Sequence, residues 1–222
     1  MGKESYLKAC LFDLDGVIVD TARYHYLAWK KIAGELGVAF TEEHNELLKG
    51  VSRVRSLEII LEIGKLNLSE KQKELYSEKK NEAYLEYIDQ MNGDEVLPGV
   101  KHFIGELKDA GILIALGSAS KNARLILQKL AIENFFDAVI DGTLVSAAKP
   151  DPEVFLRGAE TLWVKPSECV VFEDAVAGIK AAGDAGMLCV GVGDRNVLKG
   201  ADLVIPGFND FFLEDLKKII NR

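Results

Sequence analysis

Short apolar runs separated by longer amphipathic stretches constrain the fold of this chain more than any other feature. Residues 7–12, 112–117, 138–140, 169–172 and 188–192 are brief and rich in Val, Ile, Leu and Ala. Runs of that length and composition suit strands buried on both faces of a parallel sheet. Amphipathic stretches near 99–110, 121–131, 152–163 and 174–185 lie between them and predict helices. Strand then helix, repeated, is the α/β pattern. Gly111, Gly183 and Gly186 stand where helix ends and turns favour a left-handed residue. Pro98-Gly99 and Lys149-Pro150-Asp151-Pro152 predict turns leading into helices, with proline suited to the first helical turn.

The stretch from about 20 to 91 breaks this rhythm. It holds no convincing strand, only long amphipathic runs such as Tyr24–Leu36, Ser52–Ile63 and Ser69–Met91. Ser69 with Gln72 matches a capping box at the start of the last. A helical insertion after the first strand is the simplest account. It predicts a core of residues 1–19 and 92–222 and an inserted helical domain of residues 20–91, hinged near Asp20-Thr21 and Asn92-Gly93. With 222 residues the chain can bury a core and a smaller companion. A net charge of -8 without a basic stripe argues against a nucleic-acid binder. Cys10, Cys169 and Cys189 all fall in apolar runs, which predicts buried, reduced thiols. No apolar run approaches membrane-spanning length and no leader-like segment opens the chain, so the expectation is a soluble, cytoplasmic protein.

Ligands of open α/β sheets bind beyond the carboxyl ends of the strands, and four polar segments fall there. The first is Phe12-Asp13-Leu14-Asp15-Gly16-Val17. Side chains alternate along a strand and its extension, so Asp13 and Asp15 can converge on one site, one to attack and one to move a proton. The plainer alternative is an Asp/Gly surface turn. The second, Gly117-Ser118-Ala119-Ser120-Lys121-Asn122, offers a hydroxyl, backbone N–H groups and a lysine, which suits phosphate, or else a helix-capping serine. The third is Lys149, readable alone as a surface charge. The fourth, Glu173-Asp174, offers the hard oxygens that Mg²⁺ prefers, or else caps a helix.

In this order and position the four segments resemble the motifs of the haloacid dehalogenase superfamily, across essentially the entire chain. The resemblance implies an α/β fold with a Rossmann-like parallel-sheet core and an inserted helical cap domain. It implies that Asp13 is a nucleophile forming an aspartyl-phosphate and that Asp15 is the general acid/base. It further implies that Ser118 and Lys149 stabilise the transferring phosphoryl group, and that Asp13, Asp15 (through its carbonyl), Glu173 and Asp174 organise Mg²⁺. The residue types fit that chemistry, because a carboxylate attacking a phosphate dianion faces like-charge repulsion that a cation and a lysine offset.

Within that superfamily the chain is similar to the β-phosphoglucomutase family. The first motif continues to Asp20-Thr21, with His25 and Trp29 following; the insertion carries Leu48-Lys49-Gly50-Val51-Ser52-Arg53 and Lys80-Asn81. Ser118-Ala119-Ser120-Lys121-Asn122 and Ala147-Ala148-Lys149-Pro150 complete the likeness. It implies interconversion of β-D-glucose 1-phosphate and D-glucose 6-phosphate through β-D-glucose 1,6-bisphosphate, which also serves as activator. Implied substrate-binding residues are Thr21, His25, Trp29, Gly50, Val51, Ser52, Arg53 and Lys80 of the insertion and Ala119, Ser120, Lys121 and Asn122 of the core. Arg53 suits the remote phosphate because guanidinium is a planar, multidentate donor. His25 and Lys80 are implied to couple closure to substrate binding, with Trp29 lining the closed site. The implied partner is a phosphorylated hexose, bound by a monomer, with neither nucleic acid nor membrane. On the residues alone, His25 reads as a helix-surface group, Trp29 and the tyrosines as helix packing, and Ser52-Arg53 as a solvated helix start. His44 and His102 read as surface residues. The rival activities are a sugar-phosphate phosphatase using the same Asp13 and a phospho-acceptor signalling domain; the latter needs neither the Asp-x-Asp pair nor the insertion.

Overall fold

A computed structural model of the chain describes residues 7–48 and 51–220. Gly50, implied above to bind substrate, and its neighbour Lys49 lie outside the described residues. The strands are Ala9–Phe12 (β1), Leu113–Gly117 (β2), Ala138–Ile140 (β3), Cys169–Glu173 (β4), Leu188–Val192 (β5) and Leu203–Ile205 (β6). All pair in parallel, in the order β3-β2-β1-β4-β5-β6. The chain winds outward from β1 through β2 to β3, then returns to β4 on the other side of β1 and winds the opposite way. That reversal is the topological switch point, where doubly wound sheets open a crevice for ligands. Phe12 stands level with Leu116 on one side and Phe172 on the other. Five strands fall on the expected runs. The sixth, β6, has no such run: the equally short β3 is buried throughout, whereas β6 is half-exposed at its edge of the sheet.

The chain divides into two compact units, Met1–Asp20 with Asn92–Arg222, and Thr21–Met91. The second unit is helical, with Ala22–Glu35 (α1), Glu42–Glu46 (α2), Arg53–Gly64 (α3) and Glu70–Ile88 (α4). It has its own core, in which Trp29, Ile32, Leu57 and Ile60 are buried together. At the start of α4 the Ser69 hydroxyl accepts from the Gln72 N–H, while Gln72 Oε1 accepts from the Ser69 N–H at 2.9 Å, forming the expected capping box. Trp29 and the Tyr24–Tyr87 stack, with centroids 5.9 Å apart, are the helix packing that the residues suggested.

The first unit adds Val100–Asp109 (α5), Ala123–Lys129 (α6), Glu153–Thr161 (α7), Val176–Asp184 (α8) and Leu213–Ile220 (α9). Side chains alternate across the sheet as its pleat requires. Leu11 and Val171 join Phe155 and Ile179 in one apolar layer. On alternate positions Phe12 and Phe172, stacked at 4.8 Å, join Phe103, Phe208 and Phe211 in an aromatic cluster. Three local expectations need correction. Pro98 and Pro150 precede their helices rather than entering the first turn: α5 is capped by Gly99 and α7 by Pro152. Gly99 is left-handed (φ 82°), and a Cβ there would meet the Phe208 carbonyl at 2.3 Å. Gly111 and Gly186 take the left-handed conformation, whereas Gly183 lies inside α8. Cys10, Cys169 and Cys189 are free and buried as expected, and burial pushes their thiol pKa values up. Among the described residues no helix is long and apolar enough to cross a membrane.

Candidate active site

The ladder does not stop where β1 does. The Asp13 N–H donates to the Phe172 carbonyl at 2.9 Å, which sets Asp13 level with Glu173, the last residue of β4. Ser118 follows β2 directly, and its N–H donates to the Ile140 carbonyl of β3 at 3.0 Å. Asp13, Ser118 and Glu173 thus leave three adjacent strands at the switch point. Beyond Asp15 the chain reverses, and the Gly16 N–H donates to the Val19 carbonyl at 2.8 Å. Gly16 is required twice over: its φ is 76°, and a Cβ would stand 2.1 Å from Asp174 Oδ2.

Lys149 reaches this carboxylate group from the loop before α7. Its ammonium donates to Asp13 Oδ1 and, at 3.0 Å, to Glu173 Oε1. The Lys149, Asp13 and Glu173 side chains are only 8%, 10% and 1% exposed, so the surface-charge reading of Lys149 fails. Burial draws its pKa down, but the charges of Asp13 and Glu173 outweigh burial and hold it above the ordinary lysine value. The Phe155 ring lies 4.8 Å from the ammonium and shields it further. Glu173 Oε2 accepts from the Asp174 N–H at 2.8 Å.

Asp13, Glu173 and Asp174 each offer an oxygen within 4.8 Å of the others. Burial, then the neighbouring carboxylates, raise the pKa values of Glu173 and Asp174; Asp15 is near enough to add to the effect on Asp174. Crowded, half-desolvated carboxylates of this kind have the hard donor set and excess negative charge that a divalent cation relieves. The residues therefore fit a metal such as Mg²⁺. Gly178 in α8 makes room for the group, since a Cβ there would lie 1.5 Å from Glu173 Oε1.

The segment after β2 differs from its expectation in one respect. The helix does not start at the serines: α6 begins only at Ala123, after two local turns. In these the buried Ser118 hydroxyl accepts from the Ser120 N–H at 3.1 Å, and the Ser120 hydroxyl accepts from the Asn122 N–H at 3.2 Å. Ala119 and Lys121 are exposed, and Ser120 and Asn122 half-buried.

On the helical unit, Thr21 is buried ahead of α1 and its carbonyl accepts from the His25 N–H at 3.0 Å. His25 Nδ1 lies 2.8 Å from Lys80 Nζ, and Lys80 is buried against the rings of Tyr84 (4.3 Å) and Trp29 (5.3 Å). Burial first, then the charges of Lys80 and Arg53, drive the His25 pKa well below its ordinary value. A His25 held neutral in this way can accept at Nδ1 from the Lys80 ammonium. His25 is not the helix-surface group that spacing alone suggests, nor is Arg53 merely solvated. Arg53 Nη2 donates to Asn81 Oδ1 at 2.8 Å, and burial lowers the Arg53 pKa. Ser52 caps α3, accepting from the Arg55 N–H at 3.3 Å, and Val51 is exposed. Asn81, which carries part of the family likeness but had no role assigned beside Lys80, is thus the acceptor that orients Arg53. His44 closes a capping box with Thr41, and His102 is exposed.

A cavity of about 590 Å³ opens beside the start of the edge strand β3, bordered by Arg124, Glu133 and Val139, at the opposite end of the strands from the carboxylates. It carries none of this chemistry.

Comparison with known proteins agrees with the geometry. Residues 7–186 match the haloacid dehalogenase-like hydrolases. The chain is 45% identical to a β-phosphoglucomutase of Bacillus subtilis, over 94% of this chain and 93% of that one. It is 32% identical to a phosphorylated carbohydrates phosphatase of Thermotoga maritima, over 82% of each chain. The crystal structure of a β-phosphoglucomutase from Clostridium difficile superposes with a TM-score of 0.92, at 42% identity over 97% of both chains. The carboxylate site at the switch point and these likenesses together mean that the chain belongs to the haloacid dehalogenase-like hydrolase family.

Proposed function

We propose that this protein is a β-phosphoglucomutase, a phosphomutase that interconverts β-D-glucose 1-phosphate and D-glucose 6-phosphate. The observation that carries the reading over a phosphatase is its near-full-length similarity to the Bacillus subtilis β-phosphoglucomutase. Asp13 is the nucleophile, Asp15 the general acid/base, and the helical unit is the cap. In its phosphorylated form, Asp13 gives its phosphoryl group to the C6 hydroxyl of β-glucose 1-phosphate. The sugar oxygen bonds to phosphorus, the bond to Asp13 breaks and restores its carboxylate, and Asp15 takes the hydroxyl proton. The resulting β-glucose 1,6-bisphosphate turns over, and Asp13 attacks the phosphorus at C1. The C1 oxygen departs with the proton from Asp15, releasing glucose 6-phosphate and restoring the phosphorylated enzyme.

Lys149 holds the transferring group through the same ammonium that binds Asp13 and Glu173. Ser118 adds its hydroxyl, and Ala119 and Ser120 to Asn122 contribute to sugar-phosphate binding from the sheet unit. Asp13, Asp15 (through its carbonyl), Glu173 and Asp174 would hold Mg²⁺, which supplies positive charge against the phosphoryl oxygens. Thr21, His25, Trp29, Gly50, Val51, Ser52, Arg53 and Lys80 serve the substrate from the helical unit, with the Arg53 guanidinium assigned the phosphate that is not reacting. The buried free thiols fit a cytoplasmic enzyme, and we assign it as a monomer.

A coupled assay tests the reading. Purified protein with Mg²⁺, β-glucose 1-phosphate and a trace of glucose 1,6-bisphosphate is followed for NADPH, through glucose-6-phosphate dehydrogenase, and for inorganic phosphate. Bisphosphate-dependent glucose 6-phosphate with little free phosphate, abolished by Asp13→Asn, is the expected result. Phosphate release without glucose 6-phosphate would make the protein a phosphatase.

A further inference from the structure

We propose that Glu153 is the positioning residue for Lys149, its carboxylate tying the loop that carries the lysine to the first turn of α7. The proposal rests on the phosphoryl-transfer reading above, in which Lys149 touches the reacting group. Between β3 and α7 the chain has no regular structure. A lysine on such a loop has no ladder to hold its Cα, yet this one must keep its ammonium on Asp13 and Glu173.

The order comes from Glu153. Its Oε2 accepts from the Ser146 N–H at 2.8 Å, the Ser146 hydroxyl at 2.7 Å and the Ala147 N–H at 2.9 Å. The Asp151 N–H donates to the Ala148 carbonyl at 3.1 Å, and the Glu153 N–H to Asp151 Oδ1 at 2.9 Å. The backbone from Ser146 to Glu153 is thus closed into a ring by one side chain, and Lys149 lies inside that ring. The carboxylate is itself oriented, since Arg157 Nε, one helical turn on, donates to Oε1 at 2.8 Å. Bonds to an ionised acceptor are stronger than neutral ones. These hydrogen bonds, the Ser146 hydroxyl's foremost, hold the Glu153 pKa at about 2, so the tie stays charged wherever the enzyme is assayed. Two residues along the helix, Phe155 supplies the ring beside the Lys149 ammonium. One helix start therefore fixes both the lysine's backbone and its surroundings. A glutamate placed there only to meet the helix dipole would account for its location and its Arg157 pair, but not for three bonds to a loop six and seven residues back.

The test compares Glu153→Ala, Glu153→Gln and Arg157→Ala for steady-state turnover, for the rate of Asp13 phosphorylation by glucose 1,6-bisphosphate, and for thermal unfolding. Misplacing a group by about an ångström can cost roughly a hundredfold. We expect Glu153→Ala to lower kcat and the phosphorylation rate at least about tenfold while KM moves much less. Glu153→Gln, which keeps one acceptor oxygen, recovers part of that loss, and Arg157→Ala, which removes only the bond that orients the carboxylate, lowers kcat less than Glu153→Ala. In a Lys149→Ala background, Glu153→Ala adds no further loss, because coupled residues are not additive. Wild-type kcat in Glu153→Ala overturns the proposal, as does an equal loss in the Lys149→Ala background. Should the alanine protein fail to fold, Glu153→Gln decides by the same criterion. A wild-type protein that takes no phosphoryl group onto Asp13 overturns the parent reading and this one with it. A phosphorylated wild type beside an unimpaired Glu153→Ala overturns this one alone.

Discussion

Lys80 is a buried ammonium, and burying a charge is costly unless it is paired or hydrogen-bonded. Here the imidazole of His25 accepts from it at 2.8 Å, and the Tyr84 and Trp29 rings add their faces. Burial disfavours a charged imidazole, and protonating His25 would also put a second cation beside Lys80 and Arg53, so its pKa is depressed in the folded state. The unfolded chain takes up that proton near pH 6.5, so it binds more protons than the folded chain just below that pH. The stability contributed by neutral His25 is therefore complete above the unfolded pKa and is lost as pH falls from there towards the folded pKa. Thermal unfolding measured between about pH 7.5 and 5 should show Tm falling with acidity, and His25→Gln should flatten the slope. Parallel slopes in the two proteins would remove His25 as the source. His25 and Lys80 were both picked out in the sequence, but only by resemblance. Fifty-five positions separate them, and no local pattern says that two helices will bring them together.

At the scale of elements, glycines near the carboxylates mark what each helix must avoid. Gly178 lies inside α8, where glycine costs about 1 kcal/mol relative to alanine. Its absent Cβ leaves the space into which Glu173 Oε1 projects. Gly178→Ala should therefore lower both kcat and Tm, because the added Cβ would also stand 2.1 and 2.4 Å from Glu173 Cδ and Cγ, and this buried side chain would have to leave Lys149. A kinetic comparison against a Tm measurement checks this, and unchanged kcat would mean that Glu173 adapts at no cost. Elements with many residues on one period were legible in the chain: the runs of β1, β2, β4 and β5, and α4 with its Ser69–Gln72 box. Those set by a few contacts were not. The edge strand β6 is half-exposed where the equally short β3 is buried, and the start of α6 is delayed by side-chain turns at Ser118 and Ser120 that compete with the helix. Pro150 precedes α7 rather than opening it, because Glu153 and its partners place the first turn.

At the scale of the molecule, the order β3-β2-β1-β4-β5-β6 brings Asp13 and Glu173 to neighbouring strand ends although they stand 160 positions apart in the chain. The resulting crowding of Asp13, Glu173 and Asp174 predicts that Mg²⁺ stabilises the folded state. At a hundred times its dissociation constant a ligand adds about 2.7 kcal/mol to the unfolding free energy. Thermal unfolding with and without Mg²⁺ should show a higher Tm with the ion, and Asp174→Asn should lose most of that increment; an Mg²⁺-independent Tm would count against the metal assignment. The sequence by itself determined which residue types stand at which strand ends, since burial on both faces demands short apolar runs and chemistry demands polar residues just beyond them. It also determined the two periods of the chain, sheet-forming and helical. Only the tertiary structure decided that Lys149 lies between Asp13 and Glu173, that His25 serves Lys80, and that Glu153 holds the lysine's loop. Those contacts join residues whose separation along the chain carries no period, so they exist only once the strands and helices have packed.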